Sequence, residues 1–502
     1  MPRHCPLYYN EDSTNFFFHY DSTGGRGGAA LDSYLDLLAQ TGITSLLCNT
    51  NAQRSNYNSN VWTPTWAGFD PAGADDQPYL APLAPPSRAG WRRLASNMLA
   101  LHEEGIDYPA RVVEGSRARQ MSPWITLRMN DVHDQENVEH PIHGRFWYEH
   151  PEFWRQGADG YFARAFDFGH AEVRAYYMAL VDETLERYDI DGLELDFLRE
   201  PFLFSVGAED QGRELLTDWM GQVRSRVDAA ARHRGHPILL GIRTPSRADV
   251  SLAFGLDPLA WARAGWLDLL VVGPRWSTIE FDMPLDEWRQ QLDGCDVTLA
   301  GCLEILRGRH WTAPKRPVTA AEARGAAAQV LAGGADAVYL FNYFQSADAT
   351  TIPDAWTGDA YAETIHSLAS LERITGLARC HCITFTDMAG PEGTPAHALQ
   401  LPAQGTSLLF LLPTGPRPVD GSAELRLEIA VEGPDATPVV HINDSAPLVL
   451  ASDTAAEQIR RLVYRIPVGN LADSTRNHIR VQSEAAFRVE GIDIYIEPVA
   501  GT

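Results

Sequence analysis

The feature that most constrains this chain is a period. Over the first three quarters of its 502 residues, short apolar runs that end in polar clusters alternate with amphipathic helical patterns, eight times over. The runs are NFFFHYDSTGG (15–25), ITSLLCNTNAQRSNY (43–57), WITLRMNDVHD (124–134), IDGLELDFLRE (190–200), ILLGIRTPS (238–246), LDLLVVGPRW (267–276), VTLAGCLEI (297–305) and AVYLFNYFQ (337–345). Helical stretches are expected at 29–41, 90–105, 171–187, 209–233, 257–264, 285–292, 319–332 and 359–373. In the stretch 171–187, Val173, Tyr176, Tyr177, Leu180, Val181, Thr184 and Leu185 mark one apolar face. Eight such units over residues 1–375 predict an α/β fold, a (β/α)8 TIM barrel, although a doubly wound open sheet shares much of the pattern.

The position of the polar residues favours the barrel. A buried parallel strand should stay apolar throughout, yet these runs carry their charges and amides at the C-terminal end, the face on which barrel enzymes build their sites. Asp21, Asn49 with Asn51, Arg128 with Asn130 and Asp131, Glu194 with Asp196, Arg243, Arg275, Glu304 and Asn342 are then expected around one mouth. From residue 376 to 502 the texture changes to short alternating runs such as SLLFLLPTG, AELRLEIAVEG and FRVEGIDIYIEP, split by Pro, Gly, Asn and Asp. That pattern predicts an all-β sandwich domain, structural or carbohydrate-binding.

Charge narrows the partners. Forty-one basic against 66 acidic residues give a net charge of −25, which repels nucleic acid and anionic membrane surfaces. The N-terminal residues lack the apolar stretch of a secretory signal, and no segment reaches the ~20 apolar residues of a membrane span, so a cytoplasmic location is expected. Six scattered cysteines suggest reduced, structural thiols, and Cys380-His381-Cys382 is too tight for the usual zinc pairs. No cofactor is expected. The glycine-rich STGGRGG (22–28) lacks the Lys-Ser/Thr ending of a phosphate cradle.

The fourth run is the acid-rich one. Alternation puts Glu194 and Asp196 on one face and Leu193, Leu195 and Phe197 on the other, so both acids should point into the lumen, Asp196 nearer the mouth. Arg128, Arg199 and Arg243 are the available counter-charges. A purely structural acid–arginine network is the competing reading, stronger for the deeper Glu194. In the seventh run Glu304 ends a segment of small and apolar residues, where an acid is costly unless paired or used. Two carboxyl groups on opposing strands suit glycoside hydrolysis, one as acid and one as nucleophile or base. Glu280 and Asp282, after the sixth run, are rivals for the acid.

Asp191, Gly192, Asp196 and Arg199 in IDGLELDFLR form an Asp-Gly-x-x-x-Asp-x-x-Arg pattern. This resembles the glycosyl-hydrolase-like barrel proteins of the family-10-type glycosylhydrolase group. The resemblance implies a (β/α)8 fold and, by likeness to barrel glycosidases with a fourth-strand nucleophile, that role for Asp196. Chitinase-like barrels place a catalytic glutamate where this chain has Leu198.

In the third run Arg128, Asn130, Asp131, His133 and Asp134 are suited to gripping sugar hydroxyls. The same loop offers His133, His140, His143 and Asp131 as metal ligands, a weaker pattern without a paired helix. Trp62, Trp66, Trp147, Tyr148, Trp154, Trp276 and Trp311 follow strands and offer faces for sugar stacking, and segments 52–89 and 135–170 should wall the cleft. The leading expectation is a glycoside hydrolase acting on oligosaccharide chain ends with Asp196 and Glu304. Substrate contacts are expected from Asp21, Asn49, Arg128, Asn130, Asp131, His133, Glu194, Arg199, Arg243, Trp276, Glu280 and Asn342. The alternatives are a non-catalytic carbohydrate-binding barrel and a metal-dependent hydrolase or isomerase.

Overall fold

Eight parallel strands close into a barrel in the computed structural model, which describes residues 6–19, 27–345, 353–391, 403–419, 423–432, 437–456, 459–473 and 476–498. They are Leu7–Glu11 (β1), Ser45–Asn49 (β2), Ser122–Arg128 (β3), Gly192–Asp196 (β4), Leu239–Pro245 (β5), Leu269–Gly273 (β6), Thr298–Glu304 (β7) and Ala337–Phe341 (β10). A two-residue pair, Leu306–Arg307 (β8) with Arg316–Pro317 (β9), forms a hairpin between β7 and β10. Strand order around the barrel is β1-β10-β7-β6-β5-β4-β3-β2. Contacts divide the chain into two compact units: Tyr8–Val271 with Leu292–Thr298, and Met1–Leu7, Val272–Gln291 and Leu299–Thr502.

In the first unit the lumen is filled in layers, and the layers explain the sequence. Parallel register pairs Trp124 with Gly192, Thr126 with Glu194 and Arg128 with Asp196, so these side chains point the same way. The Trp124 indole is the floor. A Cβ on Gly192 would lie 2.3 Å from that ring and one on Gly241 3.1 Å from it, so β4 and, beyond it, β5 both carry glycine where the indole passes. Tyr8 meets the same ring edge-on, centroids 5.9 Å apart. Above lie Asn10, Thr126 and Glu194, and above those the charged rim.

One strand differs from expectation. The first barrel strand is LYYNE (7–11), and part of the more apolar run NFFFHYD is the helix Ser13–His19. Hydrophobicity misled because Phe16 and Phe17 pack on Tyr108, ring centroids 6.0 and 4.9 Å away, rather than in a sheet. Tyr108 opens a helix, Tyr108–Ala118, that the periodicity did not single out; it is capped by the Asp107 carboxylate, which accepts from Ala110 N at 3.1 Å. Asp21 lies outside the described residues.

Glu11 ends β1 with its side chain directed away from the lumen, in register with Cys48. Burial pushes its carboxyl up to about 8, partly opposed by the hydrogen bond from Asn15 and reinforced by Asp12. The folded protein therefore keeps a proton there that the unfolded chain loses near pH 4.5. The stability tied to that proton is complete below pH 4.5 and drains away as pH rises to about 8. Glu11→Gln should abolish this decline, making the variant more stable than the parent at pH 8 by roughly 1–4 kcal/mol while the two converge below pH 4.5. Urea melts at both pH values measure this; a parent whose stability does not fall across the window would exclude a protonated Glu11.

The C-terminal part of the second unit is antiparallel. Arg379–Cys382 (β11), Ala403–Pro413 (β12), Ala423–Glu432 (β13), Val439–Ile442 (β14), Val449–Ala456 (β15), Ile459–Arg465 (β16) and Arg476–Pro498 (β17) form one hydrogen-bonded sheet. The long β17 organises it, pairing with β12 along 476–489 and with β13 along 488–498. Buried positions run Ile479, Val481, Phe487, Val489, then shift phase to Ile492, Ile494, Ile496. The shift coincides with the irregularity between Ala430 and Val431, which leaves Glu490 as the extra residue of a bulge. No described helix is long and apolar enough to cross a membrane.

Candidate active site at the strand ends

Asp196, the last residue of β4, is 1% exposed and fully engaged. Arg243 of β5, its register partner, donates from Nε to Oδ1 at 3.0 Å and from Nη2 to Oδ2 at 2.9 Å, a bidentate fork. The backbone N–H groups of Leu198 and Arg199 donate to Oδ1 at 3.1 and 3.0 Å as the chain turns off the strand. The Asp-Gly-x-x-x-Asp-x-x-Arg pattern thus has a physical reading. Asp191 is held below the strand by Ser122 Oγ at 2.9 Å and Arg117 at 2.7 Å, Gly192 makes room for Trp124, and Asp196 accepts from the turn that carries Arg199.

A second chain of charges runs beside it. Arg128 donates to Asp12 at 2.8 Å and to Asp131 at 3.2 Å. Burial lowers the affinity of Arg128 for its proton, but Asp12, Asp131 and Asp196 outweigh it and the guanidinium is held firmly charged. Burial likewise pushes the Asp131 carboxyl up, and His133, Arg128 and Arg199 reverse this, holding it well below the usual carboxylate range. His133 Nε2 faces Arg199 Nη2 at 2.9 Å; a guanidinium can only donate, so Nε2 accepts, and the ring proton lies on Nδ1, given to Asp131 at 2.7 Å. Glu194, one layer down, accepts from Thr126 Oγ1 at 2.6 Å and Asn10 Nδ2 at 3.2 Å. These contacts bring together Arg128, Asp131, His133, Glu194, Asp196, Arg199 and Arg243 of the sequence-predicted set. Asn10 and Asp12 belong with them and went unrecognised because β1 was sought further along the chain; the i, i+2 spacing of Asn10 and Asp12, which puts both on one face, was the available signal.

Other predicted residues serve the scaffold. Asn49 donates to the backbone of Asn51 and Thr126. Both amide donors of Asn130 are taken by the carbonyls of Phe166 and Phe202, and its Oδ1 accepts from Phe166 N, so it staples two loops. His143 stacks on Trp147 at 4.0 Å and bonds to Gln53 and two backbone carbonyls, while His140 accepts from Ile142 N. Burial pushes both rings down to about 4. Among the described residues, the histidines of this loop form no converging ligand set with Asp131. The aromatic wall is also more self-contained than expected: Trp62 stacks on Tyr176 at 4.5 Å, and Trp147 is buried between His143 and Trp154. Tyr148 and Trp311 are the exposed ones of the set.

In the second unit, Gly301 faces outward, where a Cβ would strike Val330 at 2.6 Å, so Cys302 and Glu304 alternate inward. Glu304 is in register with Phe341 of β10, and its Oε1 accepts from Ile305 N at 2.9 Å. Asn342 follows with φ +59°, a left-handed turn off β10. Glu280 is buried and Asp282 half-buried in the loop after β6. That loop is held by Asp387, whose carboxylate accepts from the N–H groups of Arg275, Trp276 and Ser277 at 2.7–2.9 Å. The face of Trp276 is covered by the Lys315 ammonium, 3.9 Å from the ring centroid.

No family model matches the chain, and no curated protein does. Solved structures with similar folds include α-L-fucosidase isoenzyme 2 from Paenibacillus thiaminolyticus, 12% identical, TM-score 0.43, covering 74% of this chain and 49% of that one. A maltogenic α-amylase from Thermotoga neapolitana is 10% identical, TM-score 0.37, covering 96% and 100%. A chitinase from Chromobacterium violaceum is 10% identical, TM-score 0.37, covering 99% and 89%. The chain thus spans about half the length of the first of these. Likeness at this level assigns neither substrate nor catalytic residue to this chain.

Proposed function

We propose that the protein is a glycoside hydrolase that cleaves oligosaccharides from a chain end by a two-carboxylate mechanism. In this reading Asp196 is the nucleophile or base and Glu304 the general acid. The observation that carries it is the acid-bearing rim: β4 and β7 each end in a buried, lumen-facing carboxyl group, where an apolar residue would have been the cheaper choice. The guanidinium fork on Asp196 supports the assignment, since it fixes the orientation of the carboxylate as in-line chemistry demands. Arg128, Asp131, His133 and Arg199 supply a directional grip for vicinal hydroxyls.

The test begins with a panel of aryl glycosides and oligosaccharides. On the best substrate, Glu304→Gln should lose on the order of a hundredfold in kcat/KM when the leaving group is poor, and far less for a dinitrophenyl glycoside that needs no protonation. Equal losses on both substrates would remove Glu304 from the acid role and return Glu280 and Asp282 to contention.

A second reading, a barrel that binds saccharide without cleaving it, is favoured by one observation: both Asp196 oxygens already accept bonds from Arg243, Leu198 and Arg199. Saturable binding by calorimetry, with no product after long incubation, would select it.

A further inference from the structure

A cavity in the second unit has none of Glu304, Glu280 and Asn342 among its lining residues. It measures about 530 Å³ and is enclosed by the β8–β9 hairpin and the bulged stretch of β17, with Arg307, Arg309, His310, Lys315, Arg316 and Arg488 on its walls. Small-molecule sites occupy this size range, ~300–1,000 Å³. Five full cations around one cavity are an anomaly in a chain of net charge −25, and Lys315 is the only lysine of all 502 residues.

Most of this charge is balanced. Arg307 bonds to Glu322 and Asp493, Arg316 to Glu322 at 2.6 Å, and Arg488 to Glu490. His310 lies 3.5 Å from Glu490. Two cations make no ion pair at contact distance among the described residues. Arg309 has no hydrogen bond or ion pair among the described residues; its guanidinium lies against Gly491, where a Cβ would sit 3.0 Å from Cζ. The Lys315 ammonium has Ser277 Oγ at 3.3 Å and the Trp276 face, and no carboxylate in ion-pair contact among the described residues. A third donor joins them: Arg307 is 3% exposed, and its Nε is buried without a partner among the described residues. A buried donor left unmade is destabilising by about 1–3 kcal/mol, a penalty that a bound acceptor would remove.

We propose that this cavity is a binding site for the oxyanion of a small molecule, a phosphoryl or carboxylate group held by Arg309 and Lys315. The proposal does not rest on the hydrolytic reading. Glu490, paired with Arg488, sets its selectivity: its carboxylate on the wall tolerates one anionic group and disfavours polyanions.

The single lysine makes the test specific. Acetylation of the intact protein with a neutral amine reagent can modify Lys315 and the N-terminal amine alone, and peptide mass spectrometry separates the two. Inorganic phosphate, glucose 6-phosphate, glucuronate and glucose are added at matched ionic strength. Protection of Lys315 by an anion, absent with glucose and with chloride, is expected. Protection by glucose 6-phosphate alone assigns a phosphoryl group; protection by glucuronate alone assigns a carboxylate. Arg309→Gln should raise the protecting concentration about tenfold or more, since it removes charge-assisted hydrogen bonds. Its unliganded melting temperature should match the parent's, because Arg309 makes no hydrogen bond or ion pair among the described residues. Labelling unaffected by phosphate, both anionic sugars and the Arg309 variant would overturn the proposal.

Discussion

Arg307→Met is expected to lower the unfolding free energy by about 3–5 kcal/mol. Arg307 is 3% exposed and its partners Glu322 and Asp493 are 3% and 6% exposed, so their charges are stable only as a set. The substitution preserves volume and leaves Asp493 buried without its cation. Glu322 keeps other support: Arg316 donates to it at 2.6 and 2.9 Å and the Thr319 N–H at 2.8 Å, the last as part of a capping box on the helix Ala320–Ala332. Arg316→Met is the internal control. Arg316 is about half exposed and its acid stays held by Arg307, so its loss should be within about 1 kcal/mol. The pH dependence follows with a defined sign. Burial raises the Glu322 carboxyl, Arg316 and Arg307 outweigh it, and the net position is about 2. A depressed acid contributes stability that is complete above pH 4.5 and is lost as pH falls toward 2. Arg307→Met should flatten that acid limb as well as lower the plateau. Urea melts of parent and both variants between pH 2 and 7 measure both effects, and equal losses for the two arginines would contradict the buried network.

The same cluster shows why ligand-like spacing can mislead. Glu322, Cys380 and Cys382 place ligand atoms within 4.8 Å of one another. The positive charge at that spot is already supplied by the Arg307 guanidinium, and burial pushes both thiols up, away from the thiolate a metal would need. The reading of Cys380-His381-Cys382 as structural rests on this chemistry. His381, between them, is fully buried, and burial with Arg379 nearby pushes its ring well below the usual histidine range, so it is a neutral core residue.

Much of the barrel was legible because its period is local. Seven of the eight strand runs overlap observed strands, and alternation alone put Glu194 and Asp196 on the lumen face where Thr126 and Arg243 meet them. β1 was not legible by hydrophobicity: LYYNE is less apolar than the Phe16–Phe17 segment that follows, and only packing against Tyr108 distinguishes helix from strand there. Nor could sequence show that Asn130 is held by two distant carbonyls, that Asp387 holds a loop more than 100 residues earlier, or that Lys315 covers Trp276. These are non-local pairings with no periodic trace. The cationic cavity escaped for the same reason, since its walls come from residues 307–316, from Ile459 and from Arg488 and Glu490, far apart in the chain.

Asp196→Asn carries the largest expected consequence, because one substitution tests structure and chemistry together. By shape alone the amide is conservative, and an open active site would tolerate it. Here Arg243 is 0% exposed and bonded to both Asp196 oxygens, so an amide, which accepts through one oxygen only, breaks the bidentate fork and removes the β4 charge that faces the buried guanidinium. The expected loss is about 3–5 kcal/mol of stability, with turnover abolished. Inactivity of Asp196→Asn alone would not separate a lost nucleophile from a loosened rim. The double variant Asp196→Asn with Arg243→Met does, since it removes both charges of the fork and should recover most of the stability, as replacement of whole buried ion pairs often does. Chemical denaturation and kcat/KM are then read on the same four proteins: parent, two singles and double. If Asp196 performs chemistry, the double variant folds and remains inactive. Recovered activity in a refolded double variant would show that Asp196 acts only by neutralising Arg243, and the nucleophile would have to be sought elsewhere on the rim.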